Sequence, residues 1–162
     1  MPSTPEKQSC EIKIDFESIL KKQWASSHDP SHDLGHIKRV LKNALAIHKV
    51  EGGNWTIIEP AIWFHDLINL PKNHPERHLA SFESAQKAAE ILKHIENISS
   101  RTISRIAHAI EAHSFSANIK PETLEARILQ DADRLDSLGA IGIARTFSVG
   151  GSLNRDLFSP DD

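Results

Sequence analysis

Apolar residues along this chain recur at three- and four-residue spacings without sustained two-residue alternation, and the pattern predicts an all-α fold. A modest helix is expected over 12–25, with Phe16, Ile19, Leu20 and Trp24 on one face. The run Ser26-Ser27-His28-Asp29-Pro30-Ser31-His32-Asp33 is rich in capping residues and opens a strong helix bearing Leu34, Ile37, Leu41, Leu45 and His48. Gly52-Gly53-Asn54 ends that helix. A third helix is expected from about Thr56 to Ile68, with Pro60 in its first turns or kinking it. An irregular loop follows at 70–77. Further helices are expected over 79–95 (Leu79, Phe82, Ala85, Ala89, Leu92), 100–113 (Ile103, Ile106, Ile110), 121–138 (Leu124, Ile128, Leu135) and, more briefly, 141–147. Residues 1–10 read as a disordered leader, 11–150 as one helical bundle domain, and 151–162 as a loop-like tail.

The polar residues sort by face on this map. His36 shares the stripe of Val40, Ala44 and Ile47 and points inward, as does His113, which continues Ile103, Ile106 and Ile110. His108 lies with Arg101, Ser104, Arg105 and Glu111 on a charged face and is expected to be solvated. The apolar run 61–68 holds His65 and Asp66 side by side. A buried carboxylate without a partner is costly, so something must neutralise Asp66. Asp133 shares a stripe with Leu129 and Asp136, whereas Asp131 shares one with Leu124, Ile128 and Leu135. One inward histidine is more often an ordinary core residue than a ligand. Together, His36, His65-Asp66 and the later Asp-x-Asp supply two nitrogens and two or three carboxylates, a mixed donor set that suits Mn, Fe, Co, Ni or Zn and Mg less well.

Composition narrows the function classes. With 19 basic and 22 acidic residues and a net charge of −3, there is no basic footprint for nucleic acid or a membrane surface. The single cysteine, Cys10, rules out an intramolecular disulfide framework and fits a reducing cytoplasm. No apolar run approaches the roughly 18–20 residues a bilayer requires, and the polar start lacks the apolar stretch of a signal peptide.

His36-x-x-Arg39-Val40, His65-Asp66 and Ala132-Asp133-Arg134-Leu135 together resemble the signature of the HD-domain metal-dependent phosphohydrolases, over about residues 30–150. The resemblance is closer to a bacterial group carrying the segments that here read Ser31 to Val40, Ile110-Glu111-Ala112-His113-Ser114-Phe115, Gln130 to Asp136, and Gly139 to Phe147. It implies a helical bundle in which one divalent ion sits between helices, held by His36, His65, Asp66 and Asp133. Asp131 is then a catalytic or alternative ligand position, or a residue pairing with a nearby arginine. Asn69 and Leu70 stand where several branches of the family carry an acid after the HD pair, so Asp131, His32 or the metal-bound water are the candidates for the base. Relatives in that group continue beyond the point matching Asp162, and a homodimer covering the resulting surface is an expectation.

The chemistry implied is metal-activated attack of water on phosphorus in a small phosphorylated metabolite, a nucleotide being the expected class. Charge developing on the phosphoryl oxygens calls for cationic donors, and Lys72, Arg77 and His78 follow the HD pair near a helix N-terminus. Lys72 and Arg77 are the expected phosphate contacts, each with a solvated surface charge as the plain alternative. Arg134 is expected to face phosphate or to pair with Asp131 or Asp136, and His113 to serve as proton donor or extra ligand. Other readings stay open: a dinuclear-iron oxygenase or phosphodiesterase using His78 or His94 with His113, and a non-catalytic nucleotide-binding domain. His32-Asp33-Leu34-Gly35-His36 mimics a zinc-peptidase helix, but Asp is short for the base and no third ligand follows in register.

Overall fold

The computed structural model describes residues 14–24, 33–70 and 73–156. Seven α-helices carry the described fold: α1 (Phe16–Trp24), α2 (Leu34–Glu51), α3 (Trp55–Phe64), α4 (Ala80–Leu92), α5 (Ser100–His113), α6 (Leu124–Leu135) and α7 (Gly139–Ser152). A short 3-10 turn, Arg77–Leu79, leads into α4. There is no strand among the described residues. Lys72, His32 and Cys10 lie outside them, as do the expected leader and most of the capping run before Asp33.

The apolar helix α3 is the middle of the bundle. It buries Ile57, Ile58, Pro60, Ala61, Ile62, Trp63 and Phe64 and touches α1, α2, α4, α5 and α6. With seven of its ten residues buried, α3 has little face to give to water, so the others pack around it. The ends of the helices follow their capping chemistry. Asp33 Oδ1 accepts the His36 N–H, Asn54 Oδ1 the Thr56 N–H, Ser99 Oγ the Thr102 N–H and Thr123 Oγ1 the Ala126 N–H. Gly52, at φ 75°, stops α2 in a conformation that side chains disfavour.

Several expected boundaries and faces shift. The helix α3 stops at Phe64 instead of running to Ile68, which puts His65-Asp66 in the turn beyond it. At that end the His65 ring bonds back to the Ile62 carbonyl, one of the last-turn acceptors. The inward face of α2 is His36, Ile37, Val40 and Ala44, leaving Leu45 exposed. In α4 the inward face is Ser81, Ser84, Ala85, Ala88 and Leu92, so Leu79 and Phe82 lie outside the core. Small residues there let α4 approach α5, and Ser84 Oγ bonds both the N–H and the carbonyl of Ile68. Helix α6 spans less than 121–138, and α7 spans more than 141–147. His108 is half-buried rather than free in solvent, its Nε2 accepting the Glu122 N–H. No helix among the described residues is long and apolar enough to cross a membrane.

Candidate functional site

Four helix ends meet at the site. His36 sits in the first turn of α2, aligned by the Asp33 cap; His65 follows α3; His113 is the last residue of α5; Asp133 is in the last turn of α6. Helices α3 and α5 close in the same manner. His65 Nδ1 is 2.7 Å from the Ile62 carbonyl oxygen and His113 Nδ1 is 2.5 Å from that of Ile110, three residues back in each case. A carbonyl oxygen has no proton to offer, so each Nδ1 donates and each neutral ring keeps a lone pair on Nε2. The His36 ring is held from the same side, its Nδ1 2.8 Å from Asp136 Oδ2.

The three Nε2 atoms face inward with the carboxylates. His36 Nε2 lies 3.2 Å from His65 Nε2, 3.3 Å from Asp133 Oδ1 and 3.6 Å from Asp66 Oδ2. His65 Nε2 lies 3.4 Å from Asp66 Oδ2 and 4.0 Å from Asp133 Oδ1, and His113 Nε2 is 3.8 Å from Asp66 Oδ1. One ligand atom each from His36, His65 and Asp66 falls within a 4.8 Å span. His36, His65 and His113 are buried, and Asp66 and Asp133 are partly open to solvent.

This donor set attracts positive charge. Burial alone would lower the His36 imidazole, but the Asp133 and Asp66 carboxylates outweigh it and hold it up to about 10. His65 is likewise raised against its burial, by Asp66 and then Asp133. His113 is lowered, by burial and by the neighbouring His65. Burial opposes the ionised form of Asp133, yet its hydrogen bond to His36 and the charge of the other histidines draw it down to about 2. Two bare Nε2 lone pairs 3.2 Å apart would repel, and a shared proton or cation relieves that repulsion. A cation bound at about 2.1 Å would set adjacent donors roughly 3.0–3.4 Å apart, close to the 3.2, 3.3 and 3.4 Å found here. The residues present fit a divalent ion.

The other expected site residues fall differently. Asp131 is exposed, and two residues of α-helix set it about 200° around α6 from Asp133. Asp136, the C-cap residue of α6, instead sets a further carboxylate against His36 Nδ1. Arg77 Nη1 bonds Asn69 Oδ1 at 3.3 Å and the Leu70 carbonyl, so it braces the loop after the HD pair. His78 and His94 are exposed. Arg134 is exposed and borders a depression of about 260 Å³ with Phe115, Lys120 and Gln130. Sequence reasoning gave Asp136 only a pairing with Arg134 and gave no task to Arg39 or Arg145; Asp136 pairs instead with those two arginines. The signal available was helical register: Asp136 follows Asp133 by three residues, and Arg39 follows His36 by three.

Known proteins resemble this chain in sequence and in fold. A family model described as HD domain matches residues 33–138. YpgQ of Bacillus subtilis (strain 168) is 30% identical over 161 residues, which span 96% of this chain and 72% of YpgQ. A crystal structure of YpgQ in complex with ADP superposes with a TM-score of 0.64 at 29% identity, covering 90% of this chain and 69% of that one. An HD-superfamily hydrolase from Bacillus thuringiensis gives a TM-score of 0.64 at 32% identity, covering 91% and 69%. The Lin1889 protein of Listeria innocua gives 0.62 at 34% identity, covering 91% and 72%.

Proposed function

The chain belongs to the HD-domain family, and from that premise we propose that it is a divalent-metal-dependent phosphohydrolase acting on a small phosphorylated metabolite, a nucleotide in particular. The observation that carries this reading is the approach of His36 Nε2 and His65 Nε2 to 3.2 Å beside Asp133 and Asp66. His36, His65, Asp66 and Asp133 would hold the ion. When bound, it supplies Lewis acidity, lowering the pKa of a coordinated water and polarising a phosphoryl oxygen.

The chain's own residues supply the rest. Burial and His65 lower His113, which favours its neutral form, and its Nε2 lies 3.8 Å from Asp66 Oδ1, where it can accept a proton from a water. Arg134 directly follows Asp133 and is exposed beside it, suited to an anionic phosphoryl oxygen. Lys72, Arg77 and His78, on the segment after the HD pair, are further phosphate contacts in this reading; Arg77 would act with the guanidinium nitrogens not bonded to Leu70 and Asn69. The exposed position of Asp131 favours His113 over it as the proton acceptor. A nucleotide is favoured as substrate because the related YpgQ has been crystallised with ADP.

The test is release of phosphate and pyrophosphate from a panel of nucleoside mono-, di- and triphosphates with Mn²⁺, with His65→Ala/Asp66→Ala as control. Release by the native chain alone is expected, and the product separates a phosphatase from a pyrophosphohydrolase. Silence across the panel by a protein that binds Mn²⁺ would replace hydrolysis with binding alone.

A further inference from the structure

The segment Gly139 to Phe147 has no part in the reaction above, although it is one of the chain's recognisable motifs. It forms the first turns of α7, which packs against no other helix among the described residues and leaves Ile141, Ile143 and Phe147 exposed. Two residues three apart on one side of α7 tie it to the bundle. At Gly142 a Cβ would collide with the backbone carbonyl of Ser137, so glycine lets α7 fold back on the turn leaving α6. One turn further on, Arg145 Nη1 donates to Asp136 Oδ2 at 2.9 Å.

Asp136 is where these ties meet the site. Oδ2 takes His36 Nδ1 at 2.8 Å and Arg39 Nη2 at 3.0 Å; Oδ1 takes Arg39 Nε at 2.6 Å. The carboxylate is 5% exposed and anchored from both sides, by Arg39 on α2 and Arg145 on α7. A carboxylate on the far nitrogen of a ligating imidazole fixes the ring's rotation and raises the basicity of the nitrogen facing the metal.

We propose that Asp136 is a positioning residue for the divalent-cation site, and that Arg145 makes its setting depend on the docking of α7. The proposal rests on the reading of His36, His65, Asp66 and Asp133 as cation ligands. Arg39 alone can grip the carboxylate in the plane of its own fork. Arg145 bonds the same Oδ2 that takes the His36 ring, and so adds a hold on it from α7 to the one that Arg39 makes from α2. Gly142, Arg145 and Asp136 then form one mechanical link from α7 to a ligand nitrogen, and the Gly139–Phe147 motif acquires a task.

The experiment is titration of the full metal-free chain with Mn²⁺ by calorimetry, native against Arg145→Met, Arg145→Lys, Gly142→Ala and Asp136→Asn, with helix content followed by circular dichroism. Asp136→Asn is expected to weaken Mn²⁺ roughly 10- to 100-fold, and Arg145→Met roughly three- to tenfold, both at native helix content. Arg145→Lys should restore part of the loss, which a purely structural effect of α7 would not require. Gly142→Ala should match Arg145→Met, and combining the two should add nothing further. Native Mn²⁺ affinity in Arg145→Met overturns the coupling even if Asp136→Asn fails to fold. A native chain that takes up no Mn²⁺ overturns the cation-site reading and this inference with it, so the native titration tells the two failures apart.

Discussion

His36 and His65 face each other through Nε2 at 3.2 Å, while Asp136 and the Ile62 carbonyl occupy their Nδ1 atoms. The pair is fixed from behind and facing in front, an arrangement relieved by a shared positive charge. Mn²⁺ added to the metal-free chain should therefore raise its melting temperature, because a ligand bound only by the folded state stabilises it by mass action, about 2.7 kcal/mol at a hundred times the dissociation constant. His65→Ala/Asp66→Ala should show no such rise, and EDTA should reverse it in the native chain. Thermal scans with and without metal check this; an equal rise in the double variant would place the ion elsewhere.

Asp131 and Asp133 provide an internal comparison. Only Asp133 reaches the histidines, at 3.3 Å from His36 Nε2, while Asp131 is exposed on another side of α6. Asp133→Asn should lower metal-dependent phosphate release by about 100-fold or more, at least the loss seen for groups that merely support a ligand. Asp131→Asn should stay within about twofold, as surface changes away from a site usually do. Comparable losses in both would return Asp131 to the chemistry.

The inward histidines were legible because a helix repeats its face every three to four residues: His36 on the stripe of Val40 and Ala44, and His113 on that of Ile106 and Ile110, are buried as their registers require. The end of α3 was not. Ala61 to Ile68 keeps an apolar pattern through the stop, so hydropathy carries no mark of where α3 ends. Asp136 escaped for a related reason. Its value comes from Arg39 and Arg145, which are 97 and 9 residues away in the chain, and only the packing of α2 on α6 and the return of α7 onto the turn leaving α6 bring them together. Phe82 and Leu79 misled because apolar residues at helical spacing do not say which of two adjacent stripes is the inner one; Ser81, Ser84 and Ala88 took the close contact with α5.

Away from the site, the buried Glu125 joins two segments. Its Oε1 accepts the Asn54 N–H at 3.0 Å and its Oε2 accepts from Arg105 Nη2 at 3.0 Å. Burial alone would raise this carboxyl, but the Asn54 N–H and the Arg105 guanidinium outweigh it and hold it below 4.5. The unfolded chain then binds more protons than the folded one in that range, so stability rises with pH. This contribution is present above the ordinary glutamate pKa and is lost as pH falls through the lowered folded-state value. Glu125→Gln should be less stable than native at neutral pH, with the difference narrowing as the pH drops. Urea midpoints between about pH 7 and pH 3 measure it, and a constant difference across that range would dismiss the ionised pair as the cause.

Phe64 offers a test of how the core supports the site. Its ring is fully buried at the end of α3, edge-on to Phe16 with centroids 5.6 Å apart and planes at 89°. It also directly precedes His65, so the packing that holds Phe64 fixes where the HD turn begins. Phe64→Ala removes buried apolar surface and leaves a cavity between α1 and α3, and should cost about 3–5 kcal/mol of stability. Phe16→Ala opens the same contact from α1, and Phe16 is not a chain neighbour of any proposed ligand. Both variants should lower the melting temperature, but only Phe64→Ala should also weaken Mn²⁺ binding under conditions where the protein remains folded. Denaturant midpoints paired with Mn²⁺ titrations separate the effects; equal Mn²⁺ affinity in the two variants would mean that the HD turn is held by its own hydrogen bonds and not by the core beneath it.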